Sequence, residues 1–143
     1  MNPFFMHRFE DVTLVLLRVV TGFMFMQHGA QKLFGALGGQ QVEEVVSLMG
    51  LAGVLEFFGG LMILLGLFTR PVAFVLAGMM AAAYFIAHAP EGFWPIMNRG
   101  ELAALYAFVF LYLSARGGGR WSLDALLHRD VRAAHAARTA PAT

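Results

Sequence analysis

Residues 51–69 read LAGVLEFFGGLMILLGLFT, and Glu56 is the only charged side chain among them. A helix of about 20 apolar residues, rising ~1.5 Å per residue, crosses the ~30 Å hydrocarbon core of a bilayer. An ionised group inside that core costs at least ~2.5–3.5 kcal/mol, so a span that keeps one uses it for pairing or chemistry. The stretch predicts a transmembrane helix organised around a carboxylate.

Three further apolar runs flank it: Val12–Gly35, Pro71–Ala89 and a shorter Leu102–Ala115. Together they predict an all-α, integral membrane four-helix bundle. The fourth run reaches across only if its helix starts near Asn98 or the bilayer thins locally. Thr69-Arg70-Pro71 reads as a tight turn, since proline fits a helix start and cannot continue a helix. Trp94 and Trp121 lie just outside the runs, where interfacial tryptophans belong. Composition agrees: of 143 residues, 59% are hydrophobic and 13% charged, too few charges for a soluble domain of this length. A formal net charge of +1 gives no ground for nucleic-acid binding. Cysteine is absent, which excludes disulfides, thiolate catalysis and Cys-bound zinc or iron–sulfur clusters within the chain. No covalent or Cys-bound cofactor is therefore expected. Met24, Met26, Met79 and Met80 could offer thioethers to cuprous ion, but adjacent pairs on a helix diverge, so they read as packing and no metal site is expected.

Basic residues orient the bundle. Arg8, Arg70, Arg116, Arg120, Arg129, Arg132 and Arg138 fall on one side of an even-span topology. Arg99 lies on the other, with Lys32 near its edge and Glu43, Glu44 and Glu91 beside it. The positive-inside rule then puts both termini in the cytoplasm and the 36–50 and 90–100 loops outside. The chain divides into a cytoplasmic tail 1–11, a transmembrane domain 12–115, a cytoplasmic amphipathic segment 116–131 and a disordered tail 132–143. Glu10 and Asp11 precede the first run and no small-residue cleavage site follows it, so the first helix reads as an uncleaved anchor. Val42, Val45, Val46 and Met49 recur at helical spacing and predict a short surface helix. Trp121, Leu123, Leu126 and Leu127 predict another, with Ser122 at its cap.

His28, Lys32, Glu56, His88 and Glu101 all fall toward one end of the runs. His28 is about 10 Å deep and Glu56 about 8 Å, which predicts a His28–Glu56 pair. Lys32 shares a face with His28 and is shallow enough to snorkel. Asn98-x-x-Glu101 reads as a capping-box variant opening the fourth helix. Arg18 has no acid at its depth and reads as snorkelling to headgroups. Gly53, Gly59 and Gly60, and the stripe Ala73, Ala77 and Ala81, supply the small residues that close packing in lipid requires.

The same residues carry a family resemblance. Leu17-Arg18 and the stretch from His28 to Gly35 resemble the first helix of the DoxX family. Glu56, Gly59-Gly60 and Leu67-Phe68-Thr69-Arg70 resemble its second helix and turn. His88, Gly92-Phe93, Glu101 and the stretch from Trp121 to Leu127 continue the likeness, which covers residues 14–127. It implies a multi-pass protein of the inner (plasma) membrane. The family takes its name from a subunit of a quinone-linked oxidase complex, and relatives include a thiosulfate:quinone oxidoreductase subunit. The segment Ile96-Met97-Asn98-Arg99-Gly100 departs from the glycine-rich stretch that relatives often carry there.

Function follows as an expectation. A quinone headgroup needs hydrogen-bond donors and a proton acceptor near the membrane surface. His28 and Glu56 are the candidate proton-transfer groups, and Lys32, His88 and Glu101 the candidate substrate-binding groups. A quinone is the expected cofactor, a redox protein docked outside the expected electron donor, and the lipid bilayer the surrounding partner. Four short spans enclose little volume, so two or more copies are expected to associate. The alternative is a non-catalytic scaffold or a small-solute transporter subunit. A haem held by His28 and His88 is the weaker alternative, because the two differ in depth by ~8–9 Å.

Overall fold

The computed structural model describes residues 3–128, in which every long element is a helix and no β-strand occurs. Helix α1 is Pro3–Phe34. Helix α2 runs Leu48–Leu65 and α3 Thr69–Glu91. Helix α4 is Glu101–Arg116, and a short α5 covers 123–128. Residues expected as an N-terminal tail continue α1 back to Pro3, a residue that suits a helix start. The expected disordered tail at 132–143 lies outside the described residues.

Helix ends follow from local chemistry. Ser47 caps α2, its Oγ accepting from the Gly50 amide at 3.0 Å. The segment before it is not the surface helix that its valine spacing predicts. The Val42 amide donates 2.8 Å to the Lys32 carbonyl at the end of α1, and Ser47 Oγ donates to the Glu44 carbonyl. These bonds hold 42–47 as turns, where β-branched valines lose little. At the far end of α2, Gly66 takes φ 71°. There the Leu67 amide donates to the Met62 carbonyl at 2.9 Å, the closing bond of a Schellman turn. The reversal therefore sits at 66–68, one step before the expected turn, and Thr69 is already helical.

The N-terminus of α3 is capped from a distance: the amides of Phe68 and Thr69 donate 2.7 and 2.8 Å to the Asp124 carboxylate. Arg70 in turn donates to the Ala115 carbonyl at 2.6 Å, closing the end of α4. Arg18 does not snorkel. It is only 2% exposed, and its guanidinium donates to the carbonyls of Ile63, Leu64 and Trp121 at 2.9, 2.6 and 2.8 Å. The last carbonyls of α2 are its partners, not an acid. Ser122 caps α5 by accepting from the Ala125 amide, as its position predicts.

The helices pack as two hairpins. Helix α1 meets α2 backbone to backbone. A Cβ on Gly22 would collide with the backbone of Leu64 and Gly60, and one on Gly29 with that of Phe57 and Gly53. Helix α3 meets α4 over buried Ala73, Ala77 and Ala103. The hairpins join through Phe25, whose ring lies 5.0 Å from that of Tyr106 and 4.8 Å from that of Phe110, and through Leu76 seated over Gly59. The outward faces are apolar: Leu16, Val20, Phe23, Phe58, Phe74, Phe85 and Phe108 are all exposed. Patches of this kind mark contact with lipid or another apolar surface. Among the described residues, α2 and α3 are long and apolar enough to cross a membrane, whereas the 16 residues of α4 make only about 24 Å.

Gly29→Ala should cost about 1–3 kcal/mol, the usual penalty of overpacking, and lower the melting temperature in detergent. Gly78→Ala, on α3 with open space around it, should leave it unchanged or slightly raised. Equal shifts would mean that helix propensity, not close approach, governs these positions.

Candidate functional site

The close approach of α1 and α2 sets the site. A Cβ on Gly53 would press on the Lys32 Cβ and on the Leu33 side chain. Without one, the Lys32 stem lies along α2 and reaches Glu56. Lys32 Nζ donates to Glu56 Oε2 at 2.5 Å, with side-chain exposures of 25% and 9%. The expected His28–Glu56 pair does not form. Depth places both residues correctly, but the longer lysine stem reaches the carboxylate across Gly53, and the His28 ring turns to α4, edge-on to Tyr106 at 6.3 Å.

Glu56 lies within a π-helical turn, Leu55–Gly59. His88 ends a second, Tyr84–His88. Such one-residue expansions re-aim side chains and recur at functional sites. His88 Nδ1 lies 3.0 Å from the Asn98 carbonyl. A carbonyl only accepts, so Nδ1 carries the hydrogen and Nε2 of the neutral ring keeps its lone pair.

Asn98 itself is buried and ties down the 92–100 loop. Its Nδ2 donates to the Gly92 carbonyl at 2.7 Å, and its Oδ1 accepts from the Gly100 amide at 2.8 Å. These bonds use the side chain that a capping box would need. The α4 cap is Gly100 with no side-chain bond, and Glu101 is exposed at the first position of the helix.

An open cavity of about 430 Å³ lies between the end of α1, α2 and α3. Leu48, Leu55, Met79 and Ile86 give it an apolar wall, and Lys32 and His88 supply its polar groups. Two of the sequence-derived candidates thus share one cavity, with Glu56 bonded to one of them. His28 and Glu101 are not among its lining residues. A second groove, about 570 Å³ between α3 and α4, is lined by apolar residues such as Ala77, Phe85 and Phe108. It offers no charged group to orient a reacting ligand.

Sequence reasoning missed three residues that shape the site. Gly29 looked like ordinary helix sequence. Asn98 was assigned to the wrong bond. Tyr106 drew no reading of its own, and its hydroxyl is buried without a hydrogen-bond partner among the described residues.

Helices with apolar outer faces around a part-buried ion pair define the class: an all-helical membrane protein. The DoxX family profile matches residues 13–89, and the chain belongs to that family. It is 40% identical over 126 residues to an uncharacterised protein of Haemophilus influenzae, covering 83% of this chain and 93% of that one. It is 33% identical over 130 residues to the inner membrane protein YqjF of Escherichia coli, covering 87% and 98%. A more distant relative, 26% identical over 131 residues with 89% and 96% covered, is the putative oxidoreductase CatD of Bacillus subtilis. No solved structure matches the chain.

Removing Lys32, the more exposed partner, strands the buried Glu56 carboxylate. Lys32→Met should therefore cost about 3 kcal/mol or more, and adding Glu56→Gln should recover a large part of the loss. A double variant no more stable than Lys32→Met alone would show that the lysine stem, not the pairing, carries the stability.

Proposed function

We propose that this protein is a quinone-reactive subunit of a membrane oxidoreductase system, a four-helix membrane bundle with both termini cytoplasmic. The observation that carries the reading is the cavity between α2 and α3 in which Lys32 and His88 line one mostly apolar space. Its apolar wall suits an isoprenoid tail, and its two polar groups suit a headgroup oxygen. CatD of Bacillus subtilis, a relative named a putative oxidoreductase, points the same way. The clustering of Arg70, Arg116 and Arg120 at the 66–70 end supports that end as cytoplasmic.

A bound quinone would supply two-electron, two-proton chemistry. The chain's own residues bind and move protons. Lys32 donates a hydrogen bond to a ligand oxygen while Glu56 holds its charge in place. In the reduction of a quinone, His88 as the imidazolium would give one proton from Nε2 to a quinone oxygen, with Asn98 fixing the ring, and the Lys32 ammonium the second, both groups being reprotonated from water at the near surface. The apolar wall of Leu48, Leu55, Met79 and Ile86 excludes water. Electrons come from a reduced redox protein docked on the same side, since the chain has no cysteine to hold a redox cluster.

The test is photolabelling with an azido-ubiquinone in lipid nanodiscs, followed by peptide mapping. Label should concentrate on the segments around Leu48–Leu55 and Met79–His88. His88→Ala should weaken binding about tenfold, the worth of one good hydrogen bond. Label spread evenly over the apolar faces and indifferent to His88→Ala would sink the reading in favour of a scaffold or solute-transport role.

A further inference from the structure

The side chains able to carry a proton crowd one end of the bundle. Lys32 lies two residues from the end of α1 and His88 three from the end of α3, so both stand within about 5 Å of those ends. Both line the open cavity. Glu56, eight residues along from the start of α2, is about 12 Å deep and is bonded to Lys32. His28 stands four residues inward of Lys32 on α1, and Glu101 opens α4 at the same end.

Farther inward the helices change character. Between the level of His28 and Glu56 and the level of Arg18, the four helices hold no carboxylate and no imidazole. Phe25, Leu76 and Phe110, each at most 1% exposed, fill the middle of the bundle, with the rings of Phe25 and Phe110 4.8 Å apart. The Tyr106 hydroxyl bonds to nothing among the described residues, so it joins no hydrogen-bonded chain. Arg18, about 21 Å inward of Lys32, aims its two terminal nitrogens at three backbone carbonyls, and an arginine does not give up its proton. Membrane proteins that pass protons across do so along chains of Asp, Glu and His. Here such groups stop at one end.

We propose that the site exchanges protons with the water on its own side of the membrane and with no other. Applied to a quinone, which rests on the reading above, this makes the reaction electrically silent. Two O–H bonds form with protons from the His88 imidazolium and the Lys32 ammonium, and the docked redox protein is oxidised by two electrons. His88 and Lys32 recover their protons from the same face, so no net charge crosses the bilayer and turnover neither draws on nor builds a membrane potential. A carrier, by contrast, opens its site to both faces in turn. Inward of this site α1 and α2 meet backbone to backbone, Gly22 against Gly60 and Leu64, which closes that route.

The chain has no cysteine, so single cysteines report access in the full protein, in right-side-out and inverted membrane vesicles. Ala87→Cys, in the cavity beside His88, should react with a membrane-impermeant charged methanethiosulfonate from one face only. His128→Cys, which shares a cavity with Arg70 and Arg116 at the other end, should react from the opposite face only. Modification of Ala87→Cys from both faces, or from the face that modifies His128→Cys, overturns the proposal. A second measurement leaves the native chain intact. Liposomes carrying it with a trapped pH dye, given an acid step with potassium and valinomycin present, should acidify no faster than liposomes carrying Glu56→Gln or no protein. Faster acidification through the native chain overturns the proposal. Decylubiquinone should suppress modification of Ala87→Cys. One-sided modification that decylubiquinone leaves unchanged would remove the quinone and leave the one-sided site standing.

Discussion

The contact of α1 with α2 at glycine is the constraint from which the rest follows. Gly22 and Gly29 face Gly60 and Gly53 with backbone against backbone. Lipid tails give apolar helices no hydrophobic reason to associate, so close van der Waals contact has to do it. The approach also decides the chemistry. It brings Lys32 over Gly53 and within reach of a buried carboxylate that would otherwise stand alone. A wider spacing would leave Glu56 without a donor and open the cavity wall beside it.

At the opposite end, the same scarcity of water is met by side chains borrowed from distant segments. Arg18 of α1 satisfies the last carbonyls of α2, Arg70 of α3 those of α4, and Asp124 the first amides of α3. Each bond satisfies an orphan group of a helix terminus and also ties two elements together. One end of the protein is therefore locked by charged caps, while the other holds a cavity, two π-helical turns and a long lysine stem. Rigidity at one end and adjustable geometry at the other suit a site that must admit a ligand.

Much of this was legible in the sequence, and what was not has a common cause. Charges in apolar runs stand out, so Lys32, Glu56 and His88 were visible. Depth along a span follows from counting residues, which placed Glu56 near the end of α1. Side-chain reach and the gap that a glycine leaves do not follow in the same way. Depth alone made His28 look like the partner of Glu56, whereas the longer Lys32 stem reaches it across Gly53. Arg18 was misread for a different reason: its acceptors are backbone carbonyls, which have no letter in the sequence. Asn98 likewise bonds to the backbone of its own loop, so its match to a capping box was a coincidence of spacing. The chain reversal at 66–68 and the turns at 42–47 show that caps and glycine, more than valine periodicity, decide where these helices begin and end.

The bond from Arg18 to the Trp121 carbonyl joins groups 103 residues apart. A ribosome adding ~5–20 residues per second needs roughly 5–20 s to make that much chain. During that interval the guanidinium of the first helix already exists and the strand that completes its coordination does not. The locked end of the molecule is thus the last part to be finished during biosynthesis, although it contains the first helix to be made. A nascent chain halted before residue 121 would hold an arginine with part of its shell missing, and a third helix with an uncapped start.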